Sequence, residues 1–152
     1  MRKHFAIALI GALFLIAPAQ AQAQDKVPIP MLQEILIKTS LLTFNDANLT
    51  GNYTVMHAKL AKPFRDKITV DALKQGFKGF ADQKIDIGLV AAMPPVHSRE
   101  AIINTARGSL ELRGYFDTKP SRVTYELDFL PVDGQWRLAQ IDVRVRPPAA
   151  TQ

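Results

Sequence analysis

Periodicity changes once along this chain. Apolar residues recur at three- and four-residue steps from about position 30 to 80, then alternate at period two from about 84 to 145. A helical half followed by a strand half lacks the alternating order that builds parallel α/β sheets. It predicts an α+β domain whose strands run as an antiparallel meander. The strand half closes on Leu127-Asp-Phe-Leu-Pro-Val-Asp-Gly-Gln-Trp-Arg-Leu-Ala-Gln-Ile-Asp-Val, where Asp133-Gly134 marks a tight hairpin turn. Enzymes, ligand binders and assembly modules all use such scaffolds, so the order leaves the activity open.

Three helices are expected. The first carries Met31, Leu32, Ile35, Leu36, Thr39, Leu42 and Leu49 as its buried stripe and ends among the Asn, Asp and Gly residues of 45–52. The second starts at Asn52 or Tyr53, buries Tyr53, Met56 and Leu60, turns His57 to the same face, and is stopped by Pro63. The third has Thr69 as N-cap, Asp71 in its first turn, and Leu73, Phe77 and Phe80 as its apolar stripe.

The strands are expected to begin with Ile85, Ile87 and Leu89. After the break at Pro94-Pro95 a long strand runs from Ala101 to Phe116, with Gly108 as a bulge. The next strand sets Val123, Tyr125, Leu127 and Phe129 against Thr124, Glu126, Asp128 and Leu130. The last sets Trp136, Leu138, Gln140 and Asp142 against Ala139, Ile141, Val143 and Val145. That last strand is apolar on both faces, whereas a sheet covered on one side should have a wet outer face. A homodimer through the sheet is the partner this implies.

Residues 1–23 read as a cleavable signal peptide: Arg2, Lys3 and His4 precede the apolar run Phe5–Ala17, and Ala-Gln-Ala patterns follow. The run is about 13 residues, short of the roughly 20 that span a bilayer, so no stable membrane anchor is expected. The destination is the periplasm or the external medium. Residues 24–146 then form a single domain, and 147–152 a disordered tail. With no cysteine, thiol nucleophiles, thiolate metal sites and disulfides are excluded, and stability must come from apolar packing. The formal charge of +5 falls to +3 without Arg2 and Lys3, and the remaining basic residues are scattered among acids. Nucleic-acid binding calls for a concentrated basic patch, so none is expected.

Three segments carry a family resemblance. Gly51-Asn-Tyr-Thr-Val-Met-His-Ala-Lys-Leu-Ala-Lys-Pro-Phe, then Ile68-Thr-Val-Asp-Ala-Leu, and the closing Asp133-Gly-Gln-Trp-Arg-Leu follow one another in the order and spacing of the nuclear-transport-factor-2-like superfamily. The chain resembles this group, which includes ketosteroid isomerase, scytalone dehydratase and polyketide cyclase relatives, over nearly the whole mature chain. The resemblance implies three N-terminal helices packed on a strongly curved antiparallel β-sheet, a cystatin-like cone with an apolar pocket at its open end. It implies no catalytic residue, because the superfamily shares none.

Proton-abstracting members of such a group need an ionisable side chain in an apolar pocket. Asp128, Asp142 and His57 are the candidates here, with Tyr125 or Tyr115 as a conceivable donor. Glu126 and Asp128 fall on the strand face opposite Tyr125, so they do not join it in one site. Tyr53, His57, Phe77, Tyr125 and Trp136 are the candidate pocket walls. Two histidines of the mature chain, His57 and His97, lie on separate elements without paired acids, so no metal site is read, and no cofactor motif is present. The expectation is a secreted, dimeric binding module for a small apolar ligand or a protein partner. The alternative is an isomerase or lyase of the ketosteroid-isomerase type.

Overall fold

Helix α1, Pro30–Thr50, begins with a proline whose missing N–H is no loss in a first turn and whose φ suits the helix. It ends at Gly51, which takes a left-handed conformation while its N–H donates to Ala47 O. The computed structural model describes residues 26–146; the expected signal segment 1–23 and the tail 147–152 lie outside the described residues. The chain continues through α2 (Thr54–Lys59), α3 (Lys62–Arg65), α4 (Val70–Gly76), α5 (Lys78–Asp82) and a 3₁₀ turn at Gly88–Ala92. Strands β1 (Val96–His97), β2 (Ile102–Asn104), β3 (Ser109–Phe116), β4 (Arg122–Val132) and β5 (Gln135–Arg146) follow. The fold is α+β, with a five-stranded antiparallel sheet in the order β1-β3-β4-β5 and β2 pairing with β3.

The expected stripe of α1 is displaced in part: its Leu36 and Leu42 pack on the edge of the core. Ile37, Leu41, Phe44 and Ala47 are the buried apolar residues, whereas Met31, Leu32, Ile35 and Leu49 are exposed, Met31 at 65%. Leucine, isoleucine and methionine occur all round this helix, so spacing alone does not say which face the core will take. The second expected helix stops early: Leu60 is extended and bridges to Leu138 on β5, and Pro63 opens α3 rather than ending α2. Thr69 does cap α4, its side chain accepting from the Ala72 N–H at 3.1 Å. That helix is broken at Phe77, and the run resumes as α5. Phe77 stands between Phe44, edge-on at 5.0 Å, and Tyr53, stacked at 6.4 Å.

No strand forms at 84–89. The Asp86 carboxylate accepts from the Gly88 N–H at 2.8 Å and from the Asn45 side chain at 2.9 Å, while Asn45 Oδ1 accepts from the Ile87 N–H. These side-chain bonds hold a turn against α1 in place of a ladder. They also hold the Asp86 carboxyl below the usual carboxylate range, the Gly88 bond first. The expected long strand of 101–116 is instead a hairpin: β2 pairs with β3, and Gly108 lies in the connecting loop at φ 62° rather than at a bulge.

The closing hairpin turns at Asp133-Gly134, both with positive φ, between the paired residues Val132 and Gln135. A register shift then follows: Asp128 pairs with Gln140 but Phe129 with Leu138, which leaves Ala139 unpaired. The bulge reverses the facing of β5 along its length. Trp136 and Leu138 are buried before it and Val143 after it, so one apolar face is continuous with Val123, Tyr125, Leu127 and Phe129 of β4. Gln140 and Arg144 are exposed on the other side, with Asp142 half-buried beside them. The two-faced apolar strand that suggested dimerisation through the sheet is therefore a one-faced strand with a bulge. The core joins this face to Leu110, Leu112 and Phe116 of β3 and to the buried residues of α1, α2 and α4.

Candidate functional site

A cleft of about 260 Å³ opens where α1 and α2 meet the closing hairpin. Leu36, Thr39, Ser40 and Thr43 reach it from α1, their spacing placing them on one side of the helix. Met56 and Lys59 come from α2, three residues apart for the same reason. Phe129, Trp136 and Leu138 form the floor, brought to one face by the register that the Asp133-Gly134 turn sets, Phe129 opposite Leu138 and Pro131 opposite Trp136. Arg137 also borders it. The Ala61 N–H donates to Leu138 O at 2.7 Å, which ties the segment after α2 to the free edge of β5 and fixes the width of the cleft. Along its rim Thr39 and Thr43 donate to the carbonyls of Ile35 and Thr39, both at 2.7 Å. The Lys59 ammonium donates to Thr43 Oγ1 at 2.6 Å.

The opposite face of the sheet carries charge. Glu111 of β3 is 4% exposed and accepts from Arg99, Arg107 and Asn104; Asp128 of β4 is 3% exposed and accepts from Arg113. Arg107 also reaches Asp128 at 3.4 Å, Arg113 reaches Glu126 at 3.5 Å, and Arg144 bridges Glu126 and Asp142. The Asn104 hydrogen bond, with Arg107 and Arg113 beyond it, holds the Glu111 carboxyl below the usual range against the opposing effect of burial. Four arginines and four carboxylates balance. The hydrogen-bonded partners satisfy both buried acids, as burial of a charge requires, and the network pins the β2–β3 loop and residues 98–101 to the sheet.

The residues singled out from sequence do not converge. Asp128 belongs to the charged face, and Asp142 is half-exposed with its carboxylate on Arg144 at 2.6 Å. His57 is half-buried, with Nε2 2.6 Å from Ile68 O and 3.1 Å from Arg65 O; a nitrogen between two carbonyls carries its proton and donates, so the ring fastens the α3–α4 connection. Tyr53 is buried and donates to Asn48 Oδ1 at 2.6 Å, and burial raises its phenol pKa. Phe77 is part of the aromatic cluster. Tyr125 lies fully buried across Gly114, the residue opposite it in register, and a Cβ built there would stand 2.4 Å from its hydroxyl. That hydroxyl has no hydrogen-bond partner among the described residues, and burial pushes its pKa up strongly. Of the five expected pocket residues, Trp136 lines the cleft. Lys59, Thr43 and Met56 were not read as site residues from the sequence. The one signal for them was the shared face of Met56 with Tyr53 and Leu60.

Among the described residues no group of three or more histidines, aspartates and glutamates is arranged to hold a metal ion, and no helix is long and apolar enough to cross a membrane. No family model, curated protein or solved structure matches this chain.

Proposed function

We propose that this chain is a secreted, noncatalytic binding module of the envelope, built as a nuclear-transport-factor-2-like cone, that takes a small apolar ligand between α1, α2 and the closing hairpin. The observation that carries the reading is the cleft: an apolar floor of Phe129, Trp136 and Leu138, walled by Leu36 and Met56. At about 260 Å³ it falls just below the roughly 300–1,000 Å³ of sites for drug-sized molecules, which suits a small ligand. The isomerase alternative finds no residue here, because Asp128 and Asp142 are engaged by arginines and His57 by carbonyls.

Trp136 is the sole tryptophan, so its fluorescence reports on the cleft alone. Titration with the neutral probe N-phenyl-1-naphthylamine should quench it saturably. Native mass spectrometry of protein taken from its own periplasm should retain a small molecule and give the oligomeric state. No saturable quenching together with no retained mass would overturn the proposal.

A further inference from the structure

We infer that the ligand is an amphipathic monoanion, a single apolar body carrying one carboxylate or similar head, with the head bound by Lys59. This rests on the reading of the cleft as a ligand site. The cleft is lined by two cations, Lys59 and Arg137, and by no carboxylate. On the sheet's outer face every buried carboxylate is met by arginine, yet neither Lys59 nor Arg137 pairs with an acid among the described residues. Lys59 is not free to wander. Its ammonium donates to Thr43 Oγ1, whose own proton is committed to Thr39 O, so the hydroxyl acts as an acceptor that draws the charge over the cleft mouth. An ammonium has three donors, so two remain for an incoming anion. Ser40 lies on the same rim with its hydroxyl uncommitted to any protein group among the described residues, and it can supply a further donor. Arg137, beside Trp136 and Leu138 on the edge strand, adds positive potential at the border. An anion gives these cations a charged partner that a neutral ligand does not, and a charge-assisted hydrogen bond is worth more than a neutral one.

Octanoate and 1-octanol share one apolar chain and differ in the head. At pH 7 and low salt, Trp136 fluorescence and calorimetry should show octanoate binding about three- to fivefold more tightly than octanol, the effect of one charged hydrogen bond to an exposed lysine. The margin should shrink as salt is raised. Lys59→Met should abolish the preference, octanoate and octanol binding that variant equally, and Lys59→Arg should keep most of the preference. Lys59 is exposed at the end of α2, so these variants retain the fold, as an unchanged melting curve would verify. Equal binding of both probes to the parent protein would overturn the anion inference while leaving the apolar cleft standing. Binding of neither would overturn the cleft reading itself. A preference for octanoate that survives Lys59→Met would overturn Lys59 as the anchor.

Discussion

Gly114→Ala should destabilise the protein far more than adding one methyl group suggests. The new Cβ would stand 2.2 Å from Val96 O, 2.4 Å from the Tyr125 hydroxyl and 2.8 Å from Tyr125 Cζ, where ordinary van der Waals contact begins at 3.4 Å. The Val96 contact is with backbone, so no rotamer change relieves it. The two-residue strand β1, paired to β3 through Val96–Tyr115 and His97–Gly114, must move away or Tyr125 must leave its packed position. Overpacking of a closed core costs about 1–3 kcal/mol, and at about 4 °C per kcal/mol for a domain of this size Tm should fall by about 4–12 °C. Tyr125→Phe removes the 2.4 Å contact but neither of the others, so the double variant should recover little. Tyr125→Phe alone should be neutral or mildly stabilising, since it deletes a buried hydroxyl that has no partner among the described residues. Thermal melts followed by near-UV circular dichroism supply the Tm values. Hydrogen exchange should place the damage at Ser98, whose N–H donates to Arg113 O at 3.0 Å beside β1. A Gly114→Ala protein melting within about 1 °C of the parent, with Ser98 protection intact, would refute the close approach of β1 and Tyr125 to Gly114.

Glu111→Gln should cost about 3 kcal/mol at pH 7 by leaving Arg99, Arg107 and Arg113 without their shared carboxylate, measured by urea titration. Because the folded-state pKa of Glu111 is depressed, its stabilisation is present above its unfolded value of about 4.3 and lost as pH falls through the folded value, so the variant's stability should decline less steeply below about pH 4. His57→Ala should cost about 1–2 kcal/mol through the lost bonds to Ile68 O and Arg65 O, accelerate exchange in residues 65–68, and leave probe binding at Trp136 unchanged; lost binding with an intact fold would return His57 to the site. Asp142→Asn breaks a partly exposed pair with Arg144 and should shift stability by less than about 1 kcal/mol, with no effect on binding.

How far the sequence disclosed this fold depends on whether a signal was local. Thr69 capping α4 and Asp133-Gly134 turning the last hairpin are each decided within four residues, and both stand where the spacing put them. The errors arose where a partner distant in sequence chose between local options. Ile85, Ile87 and Leu89 alternate like a strand, but Asn45, some forty residues earlier, binds Asp86 and the Ile87 N–H and makes a turn. Spacing puts Leu36 and Leu42 of α1 against the core but not its centre, because apolar residues surround the helix and packing against Phe77 and Phe80 selects the face of Phe44. At Ala139 one unpaired residue changes which side chains share a face, and alternation read straight through it manufactures a second apolar surface.

The same bulge governs what could be read of the site. Counted without it, Trp136 and Leu138 share a side with Gln140 and Asp142, which makes Asp142 look like an acid at the mouth of an apolar pocket. Counted with it, Trp136 and Leu138 join Phe129 and Val143 inside, and Asp142 turns out toward Arg144 and Glu126. Acids thus gather on one side of the sheet with arginines opposite them, where charge is neutralised. The cleft on the other side keeps a lysine that nothing anionic in the described protein meets. Lys59 could not be found from spacing, because its significance depends on Thr43, sixteen residues away, and on the absence of a carboxylate across the cleft. In the function proposed, the paired charges on one face do structural work, and the cation over an apolar floor on the other, which no acid among the described residues meets, serves recognition.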